Sequence, residues 1–356
     1  MSRIVVAMSG GVDSSVAALL LQEQGHEVIG LFMRLGLEPT GAEAHVRGCC
    51  GEAAADDARR VAGQLGIRFQ ELDCRDALEP VVDRFCADYL AGRTPNPCIR
   101  CNRELKFGRL RRFAAAIPAA VATGHYARIE TAGGRHLLRR GVDGRKDQSY
   151  LLFALGQEQL AAARFPLGEL TKREVRAIAR RRGLRSQDRA ESQDLCFAPG
   201  GDLRALLRAR AGDRIAPGPI VDSGGRLLGE HPGAPFFTVG QRRGLRLAAG
   251  APRYVVEVDA ARNTIVVGSD ADLWRRGLVA GDLNWIAMER LEGPLRVTAK
   301  IRYQHAAAPA LIAPLDGGRV RVTFDQPQRA VAPGQAAVFY DGDIVVGGGW
   351  IERGVW

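Results

Sequence analysis

The run Ser9-Gly10-Gly11-Val12-Asp13-Ser14-Ser15 carries the first chemistry that residue types and spacing suggest. It follows an apolar stretch, Ile4 to Met8, and precedes another, Val16 to Leu21. A strand, a glycine turn and a helix in that order make an anion site. The glycines let backbone approach a phosphate, and open amides at the helix N-terminus point at the charge with the positive end of the helix dipole behind them. Ser9, Ser14 and Ser15 can add hydroxyl donors, and Asp13 is a hard oxygen ligand suited to magnesium beside phosphates. Thiols form the second reactive set. In Thr94-Pro95-Asn96-Pro97-Cys98-Ile99-Arg100-Cys101-Asn102, Cys101 falls at the predicted start of a helix, with Arg100 and Arg103 close in sequence. Both influences favour a thiolate, so Cys101 reads as a nucleophile. Cys196 stands far along the chain, and spacing alone does not pair the two. Cys74 and Cys86 fall in apolar patterns and read as core thiols; Cys49 and Cys50 receive no role.

These residues need a scaffold, and the pattern supplies one. Strands are predicted at Ile4 to Met8, Glu27 to Met33, Ile67 to Leu72 and Ala119 to Thr123, separated by helices ending at Gln24 and spanning Glu52 to Leu65, Ala77 to Leu90 and Asn102 to Ala116. Such alternation gives an α/β fold with a doubly wound parallel sheet, whose ligands bind at the carboxyl ends of the strands. Further helices, Lys172 to Arg182 and Leu203 to Ala211, are expected to close this domain. Beyond residue 212 glycines and prolines punctuate short strands, among them Pro219 to Asp222, Arg253 to Asp259 and Thr264 to Gly268, a small β domain. From about residue 275, strands at Arg296 to Tyr303, Arg319 to Phe324, Ala336 to Tyr340 and Ile344 to Gly347 read as an antiparallel barrel or sandwich. The expected domains are residues 1–205, 206–272 and 273–356.

The glycine loop lacks the Gly-Lys-Ser/Thr ending of the Walker pattern. It resembles the PP-loop of the ATP pyrophosphatases (adenine nucleotide alpha-hydrolase-like), which implies ATP bound through its pyrophosphate end, with Mg2+, and adenylation of a substrate oxygen. More motifs follow in order: GRTPNP ahead of Cys101-Asn102, GHYAR, KDQSY, SQDLCF, FTVGQRRGL, IRYQ and FDQPQRAVAPGQAAVFYDGDIVVGGG. Together, nearly end to end, they resemble the tRNA-specific 2-thiouridylases, the MnmA/TrmU family. The resemblance implies ATP-dependent adenylation of the C2 oxygen of the wobble uridine in a tRNA anticodon, then replacement of AMP by persulfide sulfur, supplied by a donor such as a cysteine desulfurase or a relay protein. Carried over by position, it puts Ala7, Met8, Ser9, Gly10, Gly11, Val12, Asp13 and Ser14 on the phosphates, Met33 in the adenine pocket and Gly124 against the nucleotide. It makes Cys196 the persulfide carrier and Cys101 its partner nucleophile, joined in a transient disulfide. It sets His125, Lys146, Asp147, Gln148, Arg302, Tyr303 and Gln335 against tRNA.

One departure stands out. Where many members have Asn-Pro-Asp, this chain has Asn96-Pro97-Cys98, so a thiol replaces a carboxylate placed for proton transfer or base contact. Cys98, Cys101 and Cys196 also form an alternative set, three ligands of a [4Fe-4S] cluster with an open iron site. Zinc is disfavoured by the lack of a second CxxC or an HxxH pair.

Bulk composition bounds the rest. At 356 residues, 46% hydrophobic and 25% charged, the chain is expected to fold as a soluble protein of two or three domains. No apolar run approaches the roughly 20 residues of a membrane span, and no leader precedes Arg3, so a cytoplasmic home without membrane partners is expected. Seven cysteines, an odd number, fit reduced thiols better than a disulfide framework. The net charge of +10 favours a polyanionic partner. Two rival functions remain at this point. Another PP-loop ligase would use the loop but not paired cysteines, and a tRNA-binding iron–sulfur or zinc protein without turnover would not need an intact loop.

Overall fold

Strands with consecutive apolar residues through their centres need cover on both faces. In β1 (Arg3–Ala7) and β2 (Glu27–Arg34), Ile4, Val5, Val6, Leu31 and Phe32 are all buried. The computed structural model describes residues 2–35, 51–117, 119–186, 196–198, 202–247 and 251–356; Cys49, Cys50 and the 191–195 part of the second thiol motif lie outside them. The chain divides into two compact units. The first contains Met1–Val81, Cys98–Asp202 and Asp343–Val345, and the second Val82–Pro97, Leu203–Gly342 and Val346–Trp356.

In the first unit β1 and β2 join β3 (Arg68–Asp73), β4 (Ala120–Ala122) and β7 (Ala163–Arg164) in the order β3-β2-β1-β4-β7, with every pairing parallel. This is the expected doubly wound sheet. Helix α1 (Val12–Glu23) turns Ala18 and Leu21 into a core shared with Val6, Phe32 and the small residues Ala54, Ala55 and Ala58 of α2 (Glu52–Leu65). Its other side, Val12, Val16 and Leu19, packs on Val175 and Ala179 of the helix Lys172–Arg181. That helix starts at a capping box: Thr171 Oγ1 accepts from the Glu174 amide, and the Glu174 carboxylate accepts from the Thr171 amide at 2.7 Å.

Two local differences from expectation have physical causes. The helix predicted from Asn102 starts earlier, as an α-turn Pro97–Arg100, and continues as a π-helix, Cys101–Arg109, before returning to α geometry at Leu110–Ala115. Pro97 sets the start, since it needs no amide donor at a first helical position. Gln159 supports the wide turns by donating its side-chain amide to the Arg103 and Phe107 carbonyls at 2.7 and 3.0 Å. Cys98, rather than Cys101, therefore lies in the first turn. The hairpin of β5 (Ala127–Ala132) and β6 (Arg135–Arg140) was not expected either, because its strands are mostly polar; the two-residue Gly133-Gly134 turn joins them.

In the second unit, β8 (Gly218–Asp222), β9 (Leu227–His231), β10 (Tyr254–Asp259) and β11 (Thr264–Gly268) form one sheet, ordered β10-β11-β8-β9. The strands β12 (Trp274–Trp285), β13 (Leu295–Lys300), β14 (Ala308–Leu315), β15 (Arg319–Arg329), β16 (Ala336–Asp341) and β17 (Ile344–Val355) form an antiparallel barrel closed by β12 on β17. Its interior takes alternate residues, Val297 and Ala299, Val320, Val322 and Phe324, as a two-residue period requires. The predicted strand to Tyr303 stops at Lys300, so Arg302 and Tyr303 occupy a turn.

Thr171→Ala removes the cap that fixes the start of the Lys172–Arg181 helix. The first unit is expected to lose about 1 kcal/mol, read as a lower urea midpoint with unchanged slope; an unaltered midpoint contradicts this role for the cap.

Candidate active site

The turn from β1 into α1 begins with Gly10 at φ +72°, a left-handed conformation that a side chain would strain. Gly11 then takes the N-cap position with extended backbone and no side-chain cap hydrogen bond. The serines organise the loop. Ser14 Oγ accepts from the Ser9 amide at 3.1 Å, lies 3.3 Å from Ser9 Oγ and donates to the Gly11 carbonyl at 3.1 Å, while Ser15 Oγ donates to the same carbonyl at 2.9 Å. Met8 is buried beneath the turn, and Met33 is buried near the carboxyl end of β2. Gly124 lies directly against the loop: a Cβ there would stand 2.8 Å from both the Asp13 carbonyl carbon and the Ser14 nitrogen.

Asp13 sits in the first turn of α1, where its charge suits the helix dipole. Both of its oxygens are 2.7 Å from Nζ of Lys172, and Tyr126 Oη donates to Oδ1 at 2.8 Å. A carboxylate beside a phosphate loop is the donor type magnesium takes, so the residues fit that ion, with a lysine ammonium now at the carboxylate. Sequence reading missed both Lys172 and Tyr126. Lys172 was detectable, because Lys172, Val175 and Ala179 share one helix face, and that face is buried.

The Lys146-Asp147-Gln148 turn supports the same constellation. Asp147 is buried and accepts from the Gly141 amide at 3.2 Å and from the Ser149 amide and hydroxyl at 3.0 Å each. Gln148 grips Tyr126 from both sides of its backbone: Oε1 accepts from the Tyr126 amide at 3.0 Å, and the Gln148 amide donates to the Tyr126 carbonyl at 2.9 Å. Lys146 is half-buried at the head of the turn. His125 is 8% exposed and packs as an interior residue, its Nδ1 2.7 Å from Thr123 Oγ1 and its ring against Phe107 and Phe165. Burial, with the nearby charge of Lys106, holds its pKa well below the ordinary 6.5.

The thiols differ in setting. Cys98 is exposed, Cys101 is buried at the first residue of the π-helix, and Cys196 is half-buried. Cys101 and Cys196 belong to the same unit as the glycine loop and are not joined by a disulfide. Asn102, next to Cys101, is anchored by a 3.1 Å bond from its side-chain amide to the Leu151 carbonyl. Burial pushes the Cys74 and Cys86 thiols up in pKa, which suits inert core positions. Among the described residues no three His, Cys, Asp or Glu side chains are gathered to hold a metal, so Cys98, Cys101 and Cys196 do not form the ligand set that the cluster alternative requires.

In the second unit, Arg302 and Tyr303 are half-buried in the turn after β13. Gln335 donates its side-chain amide to the Thr94 carbonyl at 2.8 Å, while the Thr94 amide donates to the Pro333 carbonyl at 2.7 Å. Gln335 thus holds the chain just ahead of the prolines that lead to Cys98.

Comparison with known proteins places this geometry. Residues 2–200 match the tRNA methyl transferase HUP domain, 205–269 the tRNA methyl transferase PRC-barrel domain and 275–351 the aminomethyltransferase beta-barrel domain. A tRNA-specific 2-thiouridylase MnmA from Moorella thermoacetica is 54% identical, covering 98% of this chain and 99% of that relative. One from Heliobacterium modesticaldum is 52% identical over 98% of this chain and 92% of its own length. Among solved structures, an NMN synthetase from Francisella tularensis is 16% identical with a TM-score of 0.34, over 54% of this chain and 66% of that one.

Gly124→Ala forces a methyl group into the Asp13–Ser14 backbone. ATP affinity is expected to fall ~10- to 100-fold, the equivalent of about 1–3 kcal/mol of overpacking; wild-type affinity by calorimetry contradicts the close approach. His125 yields a second expectation. Its folded-state pKa is depressed, so its stabilisation is present above the ordinary 6.5 and is lost as pH falls below that value toward the folded-state pKa. The melting temperature should drop between about pH 7.5 and pH 5.5, and His125→Phe should flatten the drop. An equal slope in both proteins would remove His125 from that account.

Proposed function

The chain belongs to the tRNA-specific 2-thiouridylase family, and on that premise we propose a two-stage sulfur transfer centred on the glycine loop, Cys101 and Cys196. In the first stage the C2 oxygen of a wobble uridine attacks the α-phosphorus of ATP. The bond to the β-phosphate breaks, pyrophosphate departs with the electron pair, and the uracil N3 proton is released. A carbonyl oxygen leaves carbon poorly, whereas as part of AMP it becomes a good leaving group. Amides of the α1 first turn, Ser9 and Ser14 hold the phosphates. Met33 and Gly124 bound the nucleotide. When bound, magnesium supplies charge neutralisation on the phosphates, and Asp13 is its ligand from this chain.

The second stage belongs to the thiols. The terminal sulfur of a Cys196 persulfide attacks C2 and displaces AMP, leaving the base joined to Cys196 through two sulfurs. The Cys101 thiolate then attacks Cys196 Sγ, so the thiocarbonyl leaves with the distal sulfur and a Cys101–Cys196 disulfide forms. A thiol reductant reopens it, and a donor such as a cysteine desulfurase or a relay protein reloads the persulfide.

The uridine must leave the anticodon stack to reach the nucleotide. Lys146, Gln148, Arg302, Tyr303 and Gln335 are proposed to meet the tRNA, aided by the net charge of +10, and the buried His125 and Asp147 to act by positioning their neighbours. The reading rests chiefly on one observation, full-length similarity to 2-thiouridylases in a chain that carries the glycine loop and Cys101 and Cys196 in one unit.

Cys101→Ser and Cys196→Ser are each expected to abolish 2-thiouridine formation from ATP, unmodified tRNA and a persulfide donor, while ATP binding persists. Undiminished thiolation by either variant, measured by mass spectrometry of digested tRNA, rules out the assignment.

A further inference from the structure

We propose that Cys98 is a third thiol of the sulfur-transfer cycle: its thiolate attacks Cys101 Sγ in the Cys101–Cys196 disulfide, frees Cys196 for reloading and carries the oxidation outward as a Cys98–Cys101 disulfide. The inference rests on the thiol route above. Cys98 and Cys101 stand three positions apart in one continuous helical run, Cys98 as the second residue of the α-turn Pro97–Arg100 and Cys101 as the first of the π-helix that follows. Side chains at this spacing are neighbours, with Cβ atoms roughly 5–6 Å apart. A disulfide needs about 3.5–4.5 Å between Cβ atoms, so a local shift of about 1–2 Å closes the pair. The run is built to allow it. Helix ends are the least constrained part of a helix, Cys98 lies in the opening turn, and the change from α to π geometry falls at Cys101 itself.

Exposure separates the three thiols. Cys101 is 9% exposed and Cys196 is half-buried, whereas Cys98 is exposed, and all three belong to the first unit with none of them in a disulfide. A reductant must bring its own sulfur in line with the bond it breaks, so access is one of the factors that set the rate of exchange. A Cys101–Cys196 disulfide offers one buried and one half-buried sulfur. Transfer to Cys98 places one sulfur of the oxidised pair where a protein reductant reaches it. Electrons balance at each step. The Cys98–Cys101 bond forms as the Cys101–Cys196 bond breaks, and the electron pair leaves on Cys196 as its thiolate. A dithiol reductant then attacks Cys98 Sγ, Cys101 departs as a thiolate, and the second thiol of the reductant breaks the mixed disulfide, so the reductant leaves oxidised and Cys98 reduced.

Disulfide mapping after one turnover tests this directly. The full-length protein, loaded by a persulfide donor, is given ATP and unmodified tRNA without reductant, then acid-quenched, alkylated and digested for mass spectrometry. Wild type is expected to yield a Cys98–Cys101 disulfide with Cys196 alkylated, and Cys98→Ser a Cys101–Cys196 disulfide. With a thioredoxin-type dithiol reductant present, Cys98→Ser should make about one 2-thiouridine per enzyme and then run ~10-fold or more slower than wild type, and a high concentration of a small monothiol should recover part of that loss. A wild-type protein that holds Cys101–Cys196 with Cys98 alkylated, or a Cys98→Ser variant whose later turnovers match wild type, overturns the inference and leaves the two-thiol route standing. Should Cys98→Ser not fold, the wild-type map decides alone. Thiolated tRNA formed with no disulfide on Cys101 in the wild type faults the thiol route itself, and the inference falls with it.

Discussion

The constraint on which the first unit depends is an uncapped helix start beside a buried parallel strand. With Ile4, Val5 and Val6 all buried, β1 lies inside the sheet, so α1 leaves its carboxyl end by a tight turn, and Gly10 supplies the left-handed residue that makes the turn. Open amides at that point are costly in a folded protein unless something accepts from them. Serine hydroxyls organise the loop without capping the helix, which leaves the position receptive to an anion. The Asp13–Lys172 pair keeps the site near electrical neutrality. An ion pair this enclosed is weak evidence for stability, because desolvation offsets much of its attraction; a role in handling charged ligands explains its placement better.

The same economy extends outward. Tyr126 connects Asp13 to the Lys146-Asp147-Gln148 turn, and Asn102 connects the Cys101 helix to the helix that follows the same turn. A single short turn thus supports both the glycine loop and the helix that carries Cys101. Its polar residues look from sequence like a surface motif, yet Asp147 is spent on backbone donors and Gln148 on Tyr126. The π-helix adds to this arrangement. Wide turns of this kind occur often at functional sites, and Gln159 holds this one open directly after Cys101.

Much of the fold was readable because periodicity reports burial. Strand–helix alternation gave the parallel sheet, and the alternating residues of Val320 to Phe324 gave the barrel. What remained hidden depended on contacts distant in sequence. The β5–β6 hairpin is polar, and the π register rests on Gln159, more than fifty positions from Cys101. In the site, the loop and both thiols were legible as motifs, whereas Lys172 was legible only through its helical spacing, since a lysine opening an amphipathic helix ordinarily points to solvent. Only its spacing with Val175 and Ala179 set it on the buried face. His125 shows the converse: read as a tRNA contact, it packs in an aromatic box.

The central claim is that the uridine's C2 oxygen leaves as part of AMP. Supplying tRNA whose target uridine carries heavy oxygen at C2, and weighing the AMP released in a single turnover, tests it most directly. The account predicts that AMP acquires the heavy oxygen in step with 2-thiouridine formation. Thiolated tRNA accompanied by unlabelled AMP would contradict it.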